Sequence, residues 1–250
     1  MKLDRFLAKH SHRGRSEAHR LIAARRIRVN GEVMINSQHE VDRFCRIELD
    51  GTVLQHPERA LYLMLHKPAG YLSATTDPQH PTVIDLIDDP DKHTLHLAGR
   101  LDRNTSGLVL LTNDGCWSKS LMDAAGKVPK TYLVETAEPI APEAVELFAR
   151  GFYFQTEDIT TLPAELVILA ERTARLTLHE GRYHQVKRMF HRVQNRVMRL
   201  HRESIGGLVL PDSLLPGQWR ALSADELRLT QPRATSWDRL PAPAASDDPR

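Results

Sequence analysis

The sequence predicts an α+β fold: a mixed, mainly antiparallel sheet with flanking helices, preceded by a small N-terminal α/β module. First, strand-like and helix-like runs between residues 60 and 230 show no repeating strand–helix unit, which argues against a doubly wound parallel sheet. Second, two short helices and a small sheet fit into the first 58 residues. Third, the length of 250 residues suits one or two domains with a sizeable core, and 41% hydrophobic residues is ordinary for a globular protein.

The N-terminal module is predicted from local helix and turn signals. Residues 3–10 have apolar side chains at helical spacing, and Ser16 is a residue type that caps a second helix. Alternating apolar and polar residues around Asn30-Gly31 indicate a β-hairpin. A further strand, residues 44–49, ends at the turn residues Asp50-Gly51. These elements define a module over residues 1–58.

A larger domain is predicted over residues 60–230, after a linker at residues 56–59. Its strand-like runs are Leu61–Leu65, Leu108–Leu111, Thr131–Glu135, Glu165–Ala170, Ala174–Leu178, Val197–Arg202 and Leu208–Leu210. Its helix candidates are Trp117–Ala124, a segment opened by Pro142, Tyr183–Gln194, and a segment with a capping box of Ser223 and Glu226. Residues 231–250 hold four prolines and few core-forming residues, which predicts a disordered tail.

Basic residues concentrate in two separate blocks, although the net formal charge is only +2. Residues 1–31 hold nine Lys and Arg against two acidic residues, and residues 182–202 hold seven with no acidic residue. Each block alone is compatible with a solvated helix face, but two blocks favour a polyanionic partner contacted from two places. The candidate contacts in the module are Arg13, Arg15, Arg20, Arg25, Arg26 and Arg28.

Several protein classes are excluded by the sequence. Two cysteines, Cys45 and Cys116, exclude a disulfide framework and a zinc site built mainly on thiolates. Neither a phosphate-binding loop nor a dinucleotide fingerprint is present, and the histidines lack metal-ligand spacing, so no metal is expected. No apolar run could span a bilayer, and the charged start is unlike a signal peptide. We therefore expect a cytoplasmic protein with no membrane contact.

The first chemically distinctive segment is residues 98–108, where Asp102 stands between Arg100 and Arg103 among Gly, Asn, Thr and Ser. This composition predicts a loop held by side-chain hydrogen bonds. The neighbouring arginines favour the ionised carboxylate, which suits a nucleophile or a charged base but not a general acid. A structural ion pair in a turn is the competing interpretation.

Two further segments carry candidate binding residues. Lys130 and Tyr132 lie on one face of a predicted strand, where they could hold a phosphate and a base, or Tyr132 could be an ordinary half-buried strand residue. In residues 180–193, a buried stripe is predicted for Val186, Met189, Phe190 and Val193. Another helix face carries Gln185, Arg188 and Arg192, while Arg182 precedes the helix and is expected to point into a cleft.

These segments together resemble the motifs of the RNA pseudouridine synthases, and in particular the ribosomal small-subunit family. The matching segments are Lys67–Tyr71, Gly99–Leu108, Lys130–Tyr132 and Glu180–Met189, in the family's order. The N-terminal module is similar to the S4-type RNA-binding domain. The resemblance covers residues 1 to about 230 and implies an isomerase that converts uridine to pseudouridine without a cofactor.

The resemblance also implies roles for individual residues. Asp102 is the expected nucleophile or charge stabiliser; attack at C1′, attack at C6 and a glycal route all remain open. Arg182 is expected to pair with Asp102, and Tyr132 to stack on the uracil and help move the C5 proton. Expected substrate contacts are Arg100, Lys130, Lys187, Arg188 and Leu200, of which Lys130, Lys187 and Arg188 would contact phosphates.

The target uridine is less firmly indicated than the reaction. Tyr183-His184 and residues 201–207 look closest to the small-subunit enzymes, which implies uridine 516 of 16S rRNA in standard rRNA numbering. Large-subunit relatives carry Asn-Arg in place of Tyr183-His184, but Asn104-Thr105-Ser106 is the form common among them. A 23S rRNA uridine and a catalytically silent assembly factor therefore remain alternatives. The expected partner is 16S rRNA or an assembling small ribosomal subunit, with no obligate protein partner evident.

Overall fold

The computed structural model describes residues 1–10, 14–122 and 128–230. Contacts between Cα atoms divide the chain into two compact units, Met1–Ala60 and Leu61–Arg250. The predicted linker at residues 56–59 lies just before this division. Arg13, the predicted tail at residues 231–250 and the last two residues of the predicted helix Trp117–Ala124 lie outside the described residues.

The first unit is a four-stranded antiparallel sheet with two helices. Its helices are α1 (Leu3–His10) and α2 (Arg15–Ala23). Its strands are β1 (Ile27–Val29), β2 (Glu32–Val33), β3 (Ile47–Leu49) and β4 (Thr52–Gln55), in the order β2-β1-β3-β4. The predicted hairpin at Asn30-Gly31 is confirmed, because both residues have the positive φ, 52° and 86°, that the favoured two-residue turn requires.

The core of the first unit lies between the two helices and the sheet, and α1 begins and ends where predicted. Asp4, in the first turn of α1, is buried, with Arg15 at 3.5 Å and His19 at 3.4 Å. Burial alone would raise the pKa of Asp4, but the backbone N–H of Arg5 and the two basic side chains bring it below its usual value. The predicted cap at Ser16 is wrong: Gly14 occupies the N-cap, and Ser16 is already inside the first turn of α2.

The second unit contains a nine-stranded sheet and a separate hairpin. Its strands are β5 (Tyr62–Lys67), β6 (His96–Leu97), β7 (Ser106–Thr112), β8 (Lys130–Thr136), β9 (Tyr153–Phe154), β10 (Ile159–Thr160), β11 (Glu165–Ala170), β12 (Thr173–Leu178), β13 (Val197–Ile205), β14 (Leu208–Val209) and β15 (Trp219–Ala221). The sheet order is β11-β12-β8-β13-β7-β5-β15, with β14 beside β13 and β6 beside β7, while β9 and β10 form the hairpin. Among the described pairings of this sheet only β13 and β7 run parallel. The predicted mixed, mainly antiparallel sheet is confirmed.

Four helices accompany this sheet, with two short 3-10 helices at Val83–Leu86 and Lys92–Thr94. They are α3 (Gly115–Met122), α4 (Ala144–Arg150), α5 (Gln185–Arg192) and α6 (Ala224–Leu229). The predicted capping box of α6 is confirmed by hydrogen bonds in both directions between Ser223 and Glu226. Within the described ranges, no helix has both the length and the apolar character that a bilayer crossing requires.

Strand β7 lies inside the sheet, between β13 and β5, and is buried on both faces. Val109 and Leu111 belong to one apolar cluster, whereas Leu108 and Leu110 belong to another, as expected for alternating side chains. Gly107 allows the close approach of β13, because a Cβ atom there would stand 2.3 Å from the carbonyl oxygen of Arg202. The start of β7 is therefore fixed tightly against β13, and the loop that enters β7 carries Asp102.

Helix α5 packs on the first cluster, but it is shorter than the predicted range of residues 183–194. Both ends are set by left-handed residues, His184 with φ 47° and Gln194 with φ 57°. The predicted apolar stripe is confirmed: Val186, Met189 and Phe190 are buried, and Val193 is partly buried against the same cluster. Gln185, predicted on a polar face with Arg188 and Arg192, is also buried.

Candidate active site

Asp102 lies on the loop between β6 and β7, where its side chain keeps 26% of its surface exposed. Lys187, in the first turn of α5, donates a hydrogen bond from Nζ to Asp102 Oδ2 at 2.8 Å. Nε2 of His184, the N-cap residue of the same helix, lies 3.4 Å from Oδ1. The carboxylate is thus accessible and flanked on both oxygens by basic groups, an arrangement that orients it and stabilises its negative charge.

Arg182 does not pair with Asp102, so this prediction from the resemblance is wrong. Its Nε donates to Glu180 Oε2 at 2.9 Å, and its backbone N–H donates to Gln185 Oε1 at 3.0 Å. Arg182 lies in the turn before α5, where Glu180 and Gln185 are its immediate neighbours. Lys187 makes the pair instead. The signal in the sequence was the spacing of three between residues 184 and 187, which places both on one side of a helix start.

The turn that leads into α5 is held by a small polar network. Oε1 of Glu180 accepts hydrogen bonds from the backbone N–H of Leu162 at 2.9 Å and from Nε2 of Gln185 at 2.8 Å. Because Gln185 is buried, this network explains why its side chain faces inward despite its polarity. It fixes the backbone from which His184 and Lys187 reach Asp102.

The Asp102 loop is tied down by Lys67, which lies at the end of β5 and is fully buried. Its Nζ donates to the carbonyl oxygens of Pro68 and Arg103, each at 3.0 Å, and of Thr105 at 2.8 Å. Burial lowers the pKa of Lys67 to about 8; the charge of Asp102 opposes this shift, and that of Arg202 adds to it. The loop backbone on the carboxyl side of Asp102 therefore depends on a partly desolvated ammonium group.

The other side of the loop is held by Ser73. Its hydroxyl donates to the carbonyl oxygen of Leu101 at 2.8 Å and accepts from the N–H of Leu101 at 3.0 Å. Gly70 and Arg103 add a further pair of hydrogen bonds. Asp102 thus stands on a loop whose backbone is anchored before and after it by side-chain hydrogen bonds. The main donors and acceptors are Lys67 and Ser73, outside residues 98–108, and not the Asn, Thr and Ser side chains of the loop itself.

Tyr132 on β8 and Leu200 on β13 are each 8% exposed and belong to one apolar cluster. The same cluster contains Leu101 and Val186, the chain neighbours of Asp102 and Lys187. The apolar cluster therefore extends to the chain neighbours of the carboxylate and of its lysine partner. An aromatic ring and an aliphatic side chain of this kind can pack against the face of a planar ring.

Two further cations lie near this region. Arg202 is buried, donates from Nε to the carbonyl oxygen of Leu108 at 2.8 Å, and has no partner for Nη2 among the described residues. Lys130 donates from Nζ to the carbonyl oxygen of Val128 at 2.9 Å. Burial, and then the charge of Arg202, lower the pKa of Lys130. Arg202 thus lies close enough to Lys67 and to Lys130 for its charge to lower the pKa of each.

Arg188 has partners within the protein. Its two terminal nitrogens each donate to one carboxylate oxygen of Glu157 at 2.6 Å, and its guanidinium lies 3.7 Å from the ring centroid of Phe154. Arg192 donates to the carbonyl oxygen of Tyr153 at 2.9 Å. The basic face of α5 therefore holds the β9–β10 hairpin, which sequence reasoning did not predict.

The remaining predicted contacts are exposed residues. Arg100 is exposed two residues before Asp102. In the first unit the exposed arginines are Arg15, Arg20, Arg25, Arg26 and Arg28. Among these, Arg15 pairs with Asp4, Arg20 with Glu17 and Arg26 with Asp50. Among the described residues, no group of three or more His, Cys, Asp and Glu side chains could hold a metal ion.

Comparison with known proteins relates this geometry to a family. The model of the RNA pseudouridylate synthase family matches residues 61–192, which include Asp102, Tyr132 and Lys187. Ribosomal small subunit pseudouridine synthase A of Pseudomonas aeruginosa is 52% identical over 91% of this chain and 99% of its own length. The protein of the same name from Escherichia coli K12 is 43% identical over 91% of this chain and 98% of its own.

A solved structure described as a crystal structure of pseudouridylate synthase has the same fold. It aligns with a TM-score of 0.67 and 37% identity, covering 92% of this chain and 99% of that one. Sequence and structure therefore lead to the same group of proteins. The chain belongs to the RNA pseudouridylate synthase family, as its motifs predicted.

Proposed function

We propose that this chain isomerises one uridine of 16S rRNA, uridine 516 in standard numbering, to pseudouridine, with Asp102 as the reacting carboxylate. The observation that supports this role for Asp102 is its accessible position between Lys187 and His184. The 16S target is supported by the relatives named as small-subunit synthases, which align over 91% of this chain.

The reaction breaks the bond between N1 of uracil and C1′ of the ribose, turns the base, and joins C5 to C1′. The proton on C5 is lost and N1 gains one, so atoms and charge balance without an oxidant or a reductant. We therefore expect the chemistry to need no cofactor and no metal. The residues must supply an ionised carboxylate, a surface for the base and a path for one proton.

Asp102 has three routes open to it: attack on C1′, attack on C6, or removal of the C2′ proton to give a glycal. Each route uses the carboxylate in its charged form. The ammonium of Lys187, 2.8 Å from Oδ2, supports that requirement, because a preorganised cation stabilises charge without reorganising during the reaction. Lys187 is thus the cation that pairs with Asp102, a role that the resemblance assigned to Arg182.

The apolar cluster beside Asp102 is the proposed surface for the uracil. Tyr132 contributes an aromatic ring and a hydroxyl, which suits stacking on the base and moving the C5 proton, while Leu200 packs at the base edge. Arg100 and Lys130 are the proposed substrate contacts outside this cluster. Arg188 can add a phosphate contact only by sharing its guanidinium with Glu157.

Binding must offset the cost of turning the target base out of its stack, about a few kcal/mol. Stacking on an aromatic ring returns about 1–3 kcal/mol, and phosphate contacts release counterions from the RNA. The exposed arginines of residues 1–58, a proposed S4-type module, supply such contacts. The proposed partner is 16S rRNA or an assembling small subunit in the cytoplasm, without an obligate protein partner.

The competing candidate is the same reaction on a 23S rRNA uridine, which the segment Asn104-Thr105-Ser106 favours. Mapping pseudouridines in both rRNAs, from cells with and without the protein, separates the candidates. We expect one 16S site to disappear and to return with the wild-type chain but not with Asp102→Asn. Loss of a 23S site instead would select the alternative, and unchanged maps would indicate an RNA-binding assembly factor.

A further inference from the structure

An exposed aromatic ring stacks on His184, the residue beside the candidate carboxylate, and has no assigned role. Among the large apolar side chains described, Tyr183 is the most exposed, at 76%. Its ring stacks on that of His184, with 3.9 Å between centroids and 19° between planes. Nε2 of His184 in turn lies 3.4 Å from Asp102 Oδ1. Two stacked rings therefore extend from the carboxylate toward solvent.

The backbone beneath these rings is firmly held. His184 has φ 47° and ψ 32°, a left-handed conformation that is uncommon for a residue with a side chain. The backbone on either side is held by hydrogen bonds from the N–H of Arg188 to the carbonyl oxygen of His184, at 3.0 Å, and from the N–H of Arg182 to Oε1 of Gln185, also at 3.0 Å. Tyr183 thus stands on a hydrogen-bonded turn, with its ring stacked on His184 and most of its side chain exposed to solvent.

The surroundings of Tyr183 indicate what its open face would take. It lies in the stretch of residues 182–202, which holds seven basic residues and no acidic one, although Arg182, Lys187 and Arg188 each pair with a carboxylate from outside the stretch. An exposed ring in a basic segment suits an unpaired nucleobase, since any base can stack on it while cations attract the phosphates. A hydrophobic protein partner would not require this charge.

We propose that Tyr183 and His184 form a stacking subsite for an unpaired nucleobase adjacent to the target uridine. The inference rests on the proposed function, because the target ribose is placed at Asp102. The open face of Tyr183 is one side chain further from that carboxylate than His184, so the next nucleotide of an extended strand reaches it. The subsite holds the flanking base and leaves the target base to the cluster around Tyr132.

The test compares Tyr183→Ala with Tyr183→Phe, which keeps the ring, and with Tyr153→Ala as the control, since Tyr153 is another exposed tyrosine, at 52%. The probe is a synthetic RNA of the target stretch, unmodified or with one abasic nucleotide on either side of the uridine. Fluorescence anisotropy gives Kd, and product analysis gives KM and kcat. We expect Y183A to raise Kd and KM about tenfold to a hundredfold with little change in kcat, and Y183F to recover most of that loss.

The abasic RNAs identify the partner base. On the RNA that lacks the stacked base, wild type and Y183A should bind equally, whereas Y153A should match wild type on every RNA. The proposal is overturned if Y183A binds the unmodified RNA as wild type does, if only kcat falls, or if the loss persists on both abasic RNAs. Absence of product from wild type would overturn the proposed function instead, because the anisotropy comparison requires no turnover.

Discussion

Lys187 and Asp102, 85 residues apart in the chain, are joined by a hydrogen-bonded ion pair of 2.8 Å at the start of α5. The pair connects the loop before β7 to helix α5, which packs on the apolar cluster that contains Val109 and Leu111. It therefore couples the orientation of the carboxylate to the position of α5. Arg182, only five residues earlier, faces Glu180 instead.

Replacing Lys187 tests this pair directly. We expect Lys187→Met to lower kcat by about 10²–10³, the usual cost of removing one preorganised charge-stabilising group, while leaving RNA affinity largely intact. Arg182→Ala, as the matched control on the same turn, should cost much less activity, because its partner is Glu180. Single-turnover rates with saturating enzyme make the comparison. A larger loss of activity in R182A than in K187M would instead support the pairing of Arg182 with Asp102 that the resemblance predicted.

Asp102→Asn removes the reacting charge with almost no change in shape. We expect this variant to keep the melting temperature and the RNA affinity of wild type but to form no pseudouridine. Thermal unfolding, an RNA-binding titration and nucleoside analysis of the product are the three measurements. Ordinary turnover by the variant would remove Asp102 from the mechanism.

The parts of the fold that were predicted correctly depend on local signals. Asn30-Gly31 and the Ser223–Glu226 capping box determine their turn and helix start within four residues, and the stripe of Val186, Met189 and Phe190 is a repeat within one helix. The family and its isomerase class were also predicted correctly. These followed from several motifs in the right order, although each motif is modest alone.

The errors concern contacts that the chain makes across long separations. The partner of Asp102 depends on how α5 docks beside the loop, and no spacing within residues 98–108 indicates it. Gln185 looked polar and exposed, but its inward orientation follows from Glu180 and the N–H of Leu162. The β9–β10 hairpin is too short to show a periodic pattern, and β15 pairs with β5 across about 150 residues of chain.

Lys67 should give the protein a pH-dependent stability. Its pKa is lowered by burial to about 8 from an unfolded value of 10.5, so above pH 8 the folded state gives up a proton that the unfolded state keeps. The free energy of unfolding of wild type, relative to Lys67→Met, should therefore rise as the pH goes from 8 to about 10.5. Urea unfolding of both proteins between pH 7 and 10.5 measures this. If the difference in free energy of unfolding between the two proteins did not change with pH, the lowered pKa of Lys67 would be contradicted.

The same substitution tests how the Asp102 loop is held. Lys67→Met leaves the carbonyl oxygens of Pro68, Arg103 and Thr105 without their donor, at a cost of about 1–3 kcal/mol in stability for an unsatisfied buried group. Because these carbonyls flank Asp102, kcat should fall while RNA affinity is retained. Equal stability and equal kcat in the two proteins would mean that water replaces the ammonium without consequence.

Substitution of Arg188 tests whether this residue contacts an RNA phosphate or only holds the β9–β10 hairpin. If Arg188 contacts an RNA phosphate, Arg188→Ala should weaken RNA binding. The slope of log Kd against log salt concentration should then fall by about 0.7–0.9, the value for one phosphate contact. If Arg188 only holds Glu157 and Phe154, the slope should stay constant and the protein should lose stability. Because Glu157→Gln removes the competing carboxylate, we expect it to tighten RNA binding. Anisotropy titrations at several salt concentrations measure both variants, and no change in either slope or affinity would assign Arg188 to the hairpin alone.

Removing residues 1–58 tests whether the first basic block binds RNA. The division of the chain after Ala60 indicates that the second unit keeps its own core, so we expect the shortened protein to unfold cooperatively at a similar temperature. Its affinity for 16S rRNA should fall and depend less on salt, since each lost phosphate contact lowers the slope by about 0.7–0.9. Substituting Arg15, Arg20 and Arg28 by alanine in the full chain is the matched variant and should reproduce part of that loss. Unchanged affinity in both proteins would show that the first basic block is only a solvated surface, and RNA binding would then rest on residues 182–202.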